Sequence, residues 1–254
     1  MPWINSNTCE IYFEDVGSGP TILFVSGYFG VADIWQEQIA RLRKDFRCIS
    51  LDSRGYGRSG PSEMPLSAEL HASDLKAVLD AASVTGKVLL VTHSMGGNTA
   101  SSFALTHPDR VAGIVYTGTY LSGPQLRELG VSAAALIENV STPSGAAAMF
   151  RSFGISDALA AEAAKWSLDT LTSNAHALEA CDLGDRHREI AVPVVIVQGE
   201  KDVVTPPEPC ATELVALLPN AKLQRVPGVN HFPQIGAPEL VADMIRNHAE
   251  TCLV

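Results

Sequence analysis

Apolar and polar positions along the chain alternate between two periods. Cys9–Asp15 (CEIYFED) reads as an apolar-rich strand, closed by the turn residues Val16-Gly17-Ser18-Gly19-Pro20. Thr21–Ser26 (TILFVS) is a nearly unbroken apolar run, as expected of a strand covered on both faces. Ile34–Arg43 places Ile34, Trp35, Ile39 and Leu42 at helical spacing, and Phe46–Leu51 returns to strand. Leu66–Ala82 predicts a long helix with Leu70, Leu75, Val78 and Leu79 on its apolar stripe. Lys87–Thr92 predicts another buried strand, Gly96–Thr106 a helix stopped by Pro108, and Val111–Tyr116 a further strand. This alternation predicts an α/β fold with an open, mostly parallel sheet covered on both sides.

The rhythm breaks between Leu121 and about Glu189. That stretch is Ala-rich, reads as several helices without a buried strand, and is punctuated by Pro124, Pro143, Gly145 and Gly154. Strand signals return at Val192–Gln198 and Ala221–Val226, followed by helices at Glu208–Leu218 and Pro238–Glu250. The simplest organisation is a core domain of residues 1–120 and 190–254, with residues 121–189 inserted as a helical cap after the Val111–Tyr116 strand. A chain of 254 residues holds one such domain and shows no internal repeat.

Composition narrows the function. Apolar residues make up 46% and charged residues 18%, ordinary values for a globular enzyme. The formal net charge of −10 repels phosphate backbones and anionic lipid heads, so neither nucleic acid nor a membrane is expected as partner. Five scattered cysteines without a CxxC pair predict reduced thiols and no zinc site, and with them a cytoplasmic setting. Met1–Glu10 lacks the basic start and apolar run of a secretory signal. A homo-oligomer is compatible with the sequence, which does not fix the oligomeric state.

The chemistry concentrates at Val88-Leu89-Leu90-Val91-Thr92-His93-Ser94-Met95-Gly96-Gly97. A buried strand ends, a serine occupies the turn and a helix begins: the small-x-Ser-x-Gly elbow that lifts a hydroxyl clear of the backbone. A helix N-cap serine would satisfy a bare SxG match. The strand context and the partners further along favour Ser94 as nucleophile. A serine hydroxyl needs a base, and the base an orienting acid. Asp202, on the loop after the Val192–Gln198 strand, is the candidate acid; Glu200 reads as loop surface. His231, just past the Ala221–Val226 strand, is the candidate general base. His93 reads as elbow support pointing away from the site, and the other histidines as helix residues. The oxyanion donors are expected from the backbone N–H groups of Met95 and of Tyr28, in the loop Ser26-Gly27-Tyr28-Phe29-Gly30.

Together these residues resemble the α/β-hydrolase superfamily, from about Cys9 to the C-terminus. Leu51-Asp52-Ser53-Arg54-Gly55-Tyr56-Gly57-Arg58-Ser59 is similar to its D-x-R-G-x-G-x-S loop, and His107-Pro108-Asp109-Arg110-Val111 to its helix-to-strand link. The resemblance implies an eight-stranded, mostly parallel sheet with helices on both faces, no cofactor or metal, and a cap over the site. The likeness is nearest to the small esterase, enol-lactonase and cofactor-free perhydrolase branch. Two positions depart from the pattern: Thr92 stands where the elbow usually has glycine, and Ser26-Gly27 where the oxyanion loop often has His-Gly. A serine nucleophile argues against the branches that use an aspartate.

The expected substrate is a small to medium apolar ester or lactone. Its pocket would be walled by Tyr28, Phe29, Tyr120 and Phe232 from the core and by Met149, Phe150, Phe153 and Trp166 from the cap. The cations of the motif loops, Arg54, Arg58 and Lys201, read as structural. Hydrolysis of a C–C bond or thioester, perhydrolysis, and a slow-turnover ligand receptor remain alternatives on the same fold.

Overall fold

A computed structural model describes residues 2–253. Met1 and Val254, the outer ends of the predicted core segments, lie outside the described residues. The strands are β1 (Trp3–Ser6), β2 (Cys9–Val16), β3 (Thr21–Val25), β4 (Arg47–Leu51), β5 (Val88–His93), β6 (Val111–Thr117), β7 (Val194–Gly199) and β8 (Ala221–Val226). They form one eight-stranded sheet in the order β1-β2-β4-β3-β5-β6-β7-β8. β1 and β2 are antiparallel to their neighbours, and the strands from β4 across to β8 are parallel. Among the described residues, no helix is long and apolar enough to cross a membrane.

The helices of the sheet domain are α1 (Gln36–Leu42), α2 (Ala68–Ala81) and α3 (Gly96–Thr106). Between β6 and β7 come α4 (Gly123–Glu128), α5 (Ala133–Asn139), α6 (Pro143–Ser152), α7 (Asp157–Ala160) and α8 (Leu168–Ala180), with no strand among them. After β7 follow α9 (Thr212–Leu217), α10 (Pro233–Gly236) and α11 (Pro238–Cys252).

The continuous apolar runs are explained by a sheet that is dry on both sides. Ile22 and Phe24 of β3, with Leu89 and Val91 of β5, face α1, α11 and the helical insertion. Leu23 and Val25, with Val88 and Leu90, face α2, α3 and α9. Alternation along one strand thus feeds two cores. Hydroxyl caps start the insertion's helices: Ser122, Ser132, Thr142, Ser156 and Ser167 each accept from a backbone N–H of the first turn.

The structure adds elements that the hydrophobic pattern does not predict. β1 is joined to β2 through Asn7 and Thr8, both at positive φ (45° and 65°), the backbone of a tight two-residue hairpin. The helix expected at Glu208–Leu218 is regular only from Thr212, because Glu208 is extended between Pro207 and Pro209. The helix expected from Ile34 opens as a 3₁₀ turn at Ala32–Trp35.

Candidate active site

β5 delivers His93, and the next residue, Ser94, turns at φ +50°, a left-handed conformation that costs a residue with a Cβ. The Ser94 amide donates to the Thr117 carbonyl on β6 (2.9 Å), and Gly97 N–H donates back to Ser94 O (2.8 Å). Close packing makes the neighbouring glycines obligatory. A Cβ on Gly96 would lie 2.6 Å from Val25 O, and one on Gly97 would lie 2.8 Å from Thr119 Oγ1. Thr92 fits as a buried strand residue whose hydroxyl turns to Val115 O (3.4 Å).

The loop after β3 rests directly on this elbow. A Cβ on Gly27 would lie 2.9 Å from Met95 N and 3.0 Å from Ser94 Cβ. Residue 28 is thereby brought beside the start of α3. Neither the Tyr28 amide nor the Met95 amide donates to a protein acceptor among the described residues. Both are free to meet an oxygen of a bound group, at a helix N-terminus that favours negative charge.

Asp202 and His231 lie on the loops after β7 and β8. The Asp202 carboxylate is saturated. Oδ1 accepts the backbone N–H groups of Val204 (2.9 Å) and Thr205 (2.8 Å). Oδ2 accepts Gln198 Nε2 (3.0 Å), the Thr205 hydroxyl (2.7 Å) and His231 Nδ1 (3.0 Å). Burial by itself would raise the Asp202 pKa, but His231 and the Thr205 donors outweigh it and hold the carboxyl below its ordinary value. The loops are locked together at Gly199, where a Cβ would lie 2.4 Å from Val229 O. Gln198 and Thr205 have no signature in the sequence; only the fold shows that they converge on Asp202.

Ser94 and His231 border the same cavity, a narrow one of about 20 Å³ in this closed arrangement. No direct hydrogen bond joins their side chains in this structure; such bonds commonly tighten when a substrate is bound. Three larger depressions, near Arg47, against α11, and beside Ser67 and Cys181 between α2 and α8, are bordered by neither Ser94 nor His231. The enclosed, apolar cavity is therefore the candidate site.

Of the expected pocket walls, Tyr28, Phe29, Phe150, Phe153 and Phe232 border the cavity. Tyr120, Met149 and Trp166 do not, which corrects the sequence-based expectation. Trp166 packs edge-on against Phe29 and Tyr56 (both 4.8 Å between centroids), behind the wall. Met149 and Tyr120 are buried in the surrounding core. Aliphatic side chains complete the lining, notably Leu126, Val131, Leu136 and Leu178 of the insertion. An apolar helix stripe in sequence does not distinguish wall from core.

His93 also borders the cavity and does not point away from it. Its ring stacks on Phe232 (4.2 Å), and Nε2 donates to the His231 carbonyl (3.0 Å). Burial first, then the neighbouring His231, push its pKa well below the usual histidine value, so it stays neutral. Arg54 is sealed in a bidentate pair with Asp74 (2.6 Å), and Arg58 is held by Asp52, Asp33 and Glu14. Neither is free to bind a substrate anion. Among the described residues, no group of three His, Cys, Asp or Glu side chains is set to hold a metal ion.

The chain is similar to known proteins over nearly its whole length. It is 28% identical to a non-heme chloroperoxidase of Streptomyces lividans, over 93% of this chain and 96% of that one. The solved structure of Est816, described as an N-acyl homoserine lactone degrading enzyme, superposes with a TM-score of 0.85 at 27% identity, covering 97% of this chain and 99% of the other. An esterase from Exiguobacterium antarcticum shares the fold with a TM-score of 0.87 at 23% identity, covering 98% of both chains. A family profile described as "Alpha/beta hydrolase family" matches residues 22–244, from β3 into α11. With strand order, elbow and profile in agreement across the sheet domain and the insertion, this chain belongs to the alpha/beta hydrolase family.

Proposed function

We propose that this protein is a serine hydrolase that cleaves a small to medium, uncharged, apolar carboxylic ester or lactone through an acyl-Ser94 intermediate. The observation that carries this reading is the Asp202–His231 hydrogen bond (3.0 Å) at the rim of the cavity onto which the strained Ser94 turn opens. In this reading His231 takes the Ser94 proton as Oγ attacks the carbonyl carbon. The N–H groups of Tyr28 and Met95 receive the oxyanion. Collapse expels the alcohol, which takes the proton from His231. Water, deprotonated by His231, then attacks the acyl carbon; the Ser94 oxygen leaves with that proton from His231, and the acid is released. Residues 121–189 act as the cap, lowering Phe150, Phe153 and the aliphatic wall over the reacting bond.

An apolar, water-poor chamber strengthens the oxyanion contacts and penalises a charged substrate. The lactone reading draws on the likeness to Est816. A second reading, transfer of the acyl group to hydrogen peroxide to give a peracid, draws on the likeness to the chloroperoxidase. It uses the same acyl-enzyme with peroxide in place of water.

The test is labelling by a fluorophosphonate probe, with the modified residue mapped, followed by a panel of neutral esters and lactones. Each ester is paired with an analogue ending in a carboxylate. The expected result is Ser94 labelling, turnover of neutral substrates, and loss of both in Ser94→Ala by ~10⁴–10⁶-fold. Full activity in Ser94→Ala would overturn the reading. Labelling without turnover of any acyl substrate would point to a receptor, and peracid formation outpacing hydrolysis to the second reading.

A further inference from the structure

Asp202 Oδ2 and His231 Nδ1 share a third neighbour that the three-residue reading does not use. The Thr205 hydroxyl lies 2.7 Å from Asp202 Oδ2 and 3.2 Å from His231 Nδ1, with the residue fully buried. Its one proton and two lone pairs each have a partner, with the two protons of Gln198 Nε2 shared among three acceptors. The hydroxyl proton goes to the carboxylate, the only partner that accepts and never donates. One lone pair takes Gln198 Nε2–H (3.0 Å). The other faces the Nδ1–H that His231 also directs at Asp202.

Gln198 keeps that hydroxyl in place. It is itself fully buried, at the end of β7. Its Oε1 accepts the Thr119 amide (3.1 Å), just beyond β6. Its Nε2 reaches Asp202, the Thr205 carbonyl and the Thr205 hydroxyl. A chain of donors thus runs from the end of β6 through Gln198 and Thr205 to the acid.

We propose that Thr205, held by Gln198, is a positioning residue that forms a fourth member of the Ser94–His231–Asp202 assembly and sets the pH at which His231 becomes a competent base. This inference rests on the hydrolase reading above. The physical effect is charge dispersal. A hydroxyl donated at 2.7 Å spreads the Asp202 charge, so the carboxylate attracts a protonated imidazole less strongly. Without that donor the imidazolium is better stabilised, His231 holds its proton to higher pH, and the acid limb of activity moves upward. The longer contact to Nδ1 also limits rotation of the ring.

The test compares Thr205→Val, which keeps shape and removes the hydroxyl, with Thr205→Ser, which keeps the hydroxyl. Two profiles are measured against pH: the rate of fluorophosphonate labelling and kcat/KM for p-nitrophenyl acetate. Thr205→Val is expected to raise the midpoint of the acid limb by about 0.5–1 pH unit, and Thr205→Ser to restore it. At the pH plateau kcat should fall about tenfold in Thr205→Val with KM little changed. Gln198→Met serves as a second variant, expected to shift the limb in the same direction. An acid limb that coincides with wild type in both Thr205→Val and Gln198→Met would overturn the proposal. A loss in Thr205→Val that Thr205→Ser does not restore would do so equally. Ser94→Ala separates the two levels: if it still labels and turns over, the hydrolase reading itself falls. If it is inert while Thr205→Val behaves as wild type, only this inference falls.

Discussion

Gly27 and Met95 are packed so tightly that a methyl group on Gly27 would lie 2.9 Å from the Met95 amide nitrogen and 2.5 Å from the His93 carbonyl. Both obstacles are backbone, so no rotamer change relieves them. Gly27→Ala should therefore push the β3 loop off the elbow and separate the two proposed oxyanion donors. Loss of one such donor costs about 10²–10³-fold in kcat. Steady-state kinetics on a neutral ester should show a fall of that order with Ser94 unaltered. Near wild-type kcat would mean that the Tyr28 amide does not serve the oxyanion.

Ser94 provides a stability test. Its φ of +50° is strained for any residue with a Cβ and free for glycine. Ser94→Gly is therefore expected to be more stable than Ser94→Ala by about 1 kcal/mol, both being inactive. Urea denaturation of the two variants measures the difference. Equal midpoints would show that the turn relaxes without the hydroxyl.

Arg54 and Asp74 tie the loop after β4 to α2 with neither side chain exposed to solvent. Arg54 also donates to the Ser6 carbonyl (2.7 Å) in the β1–β2 hairpin. Asp74→Ala leaves a guanidinium buried without its counter-ion. The expected destabilisation is about 3–5 kcal/mol, read from chemical denaturation. Replacing both residues by apolar ones of similar volume should recover most of that loss. A single variant as stable as wild type would show that solvent reaches Arg54.

Four of the buried histidines give the fold a pH dependence of defined sign. Burial, the leading cause at each, holds His71, His93, His187 and His248 below the usual value of 6.5. The unfolded chain takes up protons as pH falls through about 6.5, while the folded chain does so only at lower pH. The unfolded state therefore binds more protons, and stability declines as pH drops below that value. Asp202, held below 3.8, acts in the same direction at still lower pH. Calorimetry should show a melting temperature that falls between about pH 7 and pH 5. A flat profile over that range would contradict neutral, buried rings.

The neutrality of His93 also matters to the proposed chemistry. Its ring centroid lies 4.8 Å from that of His231. A second positive charge there would oppose protonation of His231 during attack. Keeping His93 neutral lets its Nε2–H hold the His231 backbone while the His231 ring alone carries the transferred proton.

What could be read from the sequence follows local rules. Period and turn chemistry gave β3, β5, β6 and α3 almost to the residue, because burial on two faces leaves an unmistakable apolar run and Gly96-Gly97 marks a tight strand-to-helix turn. The elbow serine and the positions of Asp202 and His231 follow from the same logic, each standing just after a strand. β1 and the delayed start of α9 were not legible, because they depend on positive-φ residues and on proline placement more than on hydrophobic rhythm. Only the tertiary structure decided which side chains face the cavity. Phe150 borders it and its neighbour Met149 does not, since how a helix is rotated about its axis depends on everything packed around it. Gln198 and Thr205 reach Asp202 for the same reason: hydrogen-bond partners are selected by direction and distance across loops, and no periodicity in the chain encodes that.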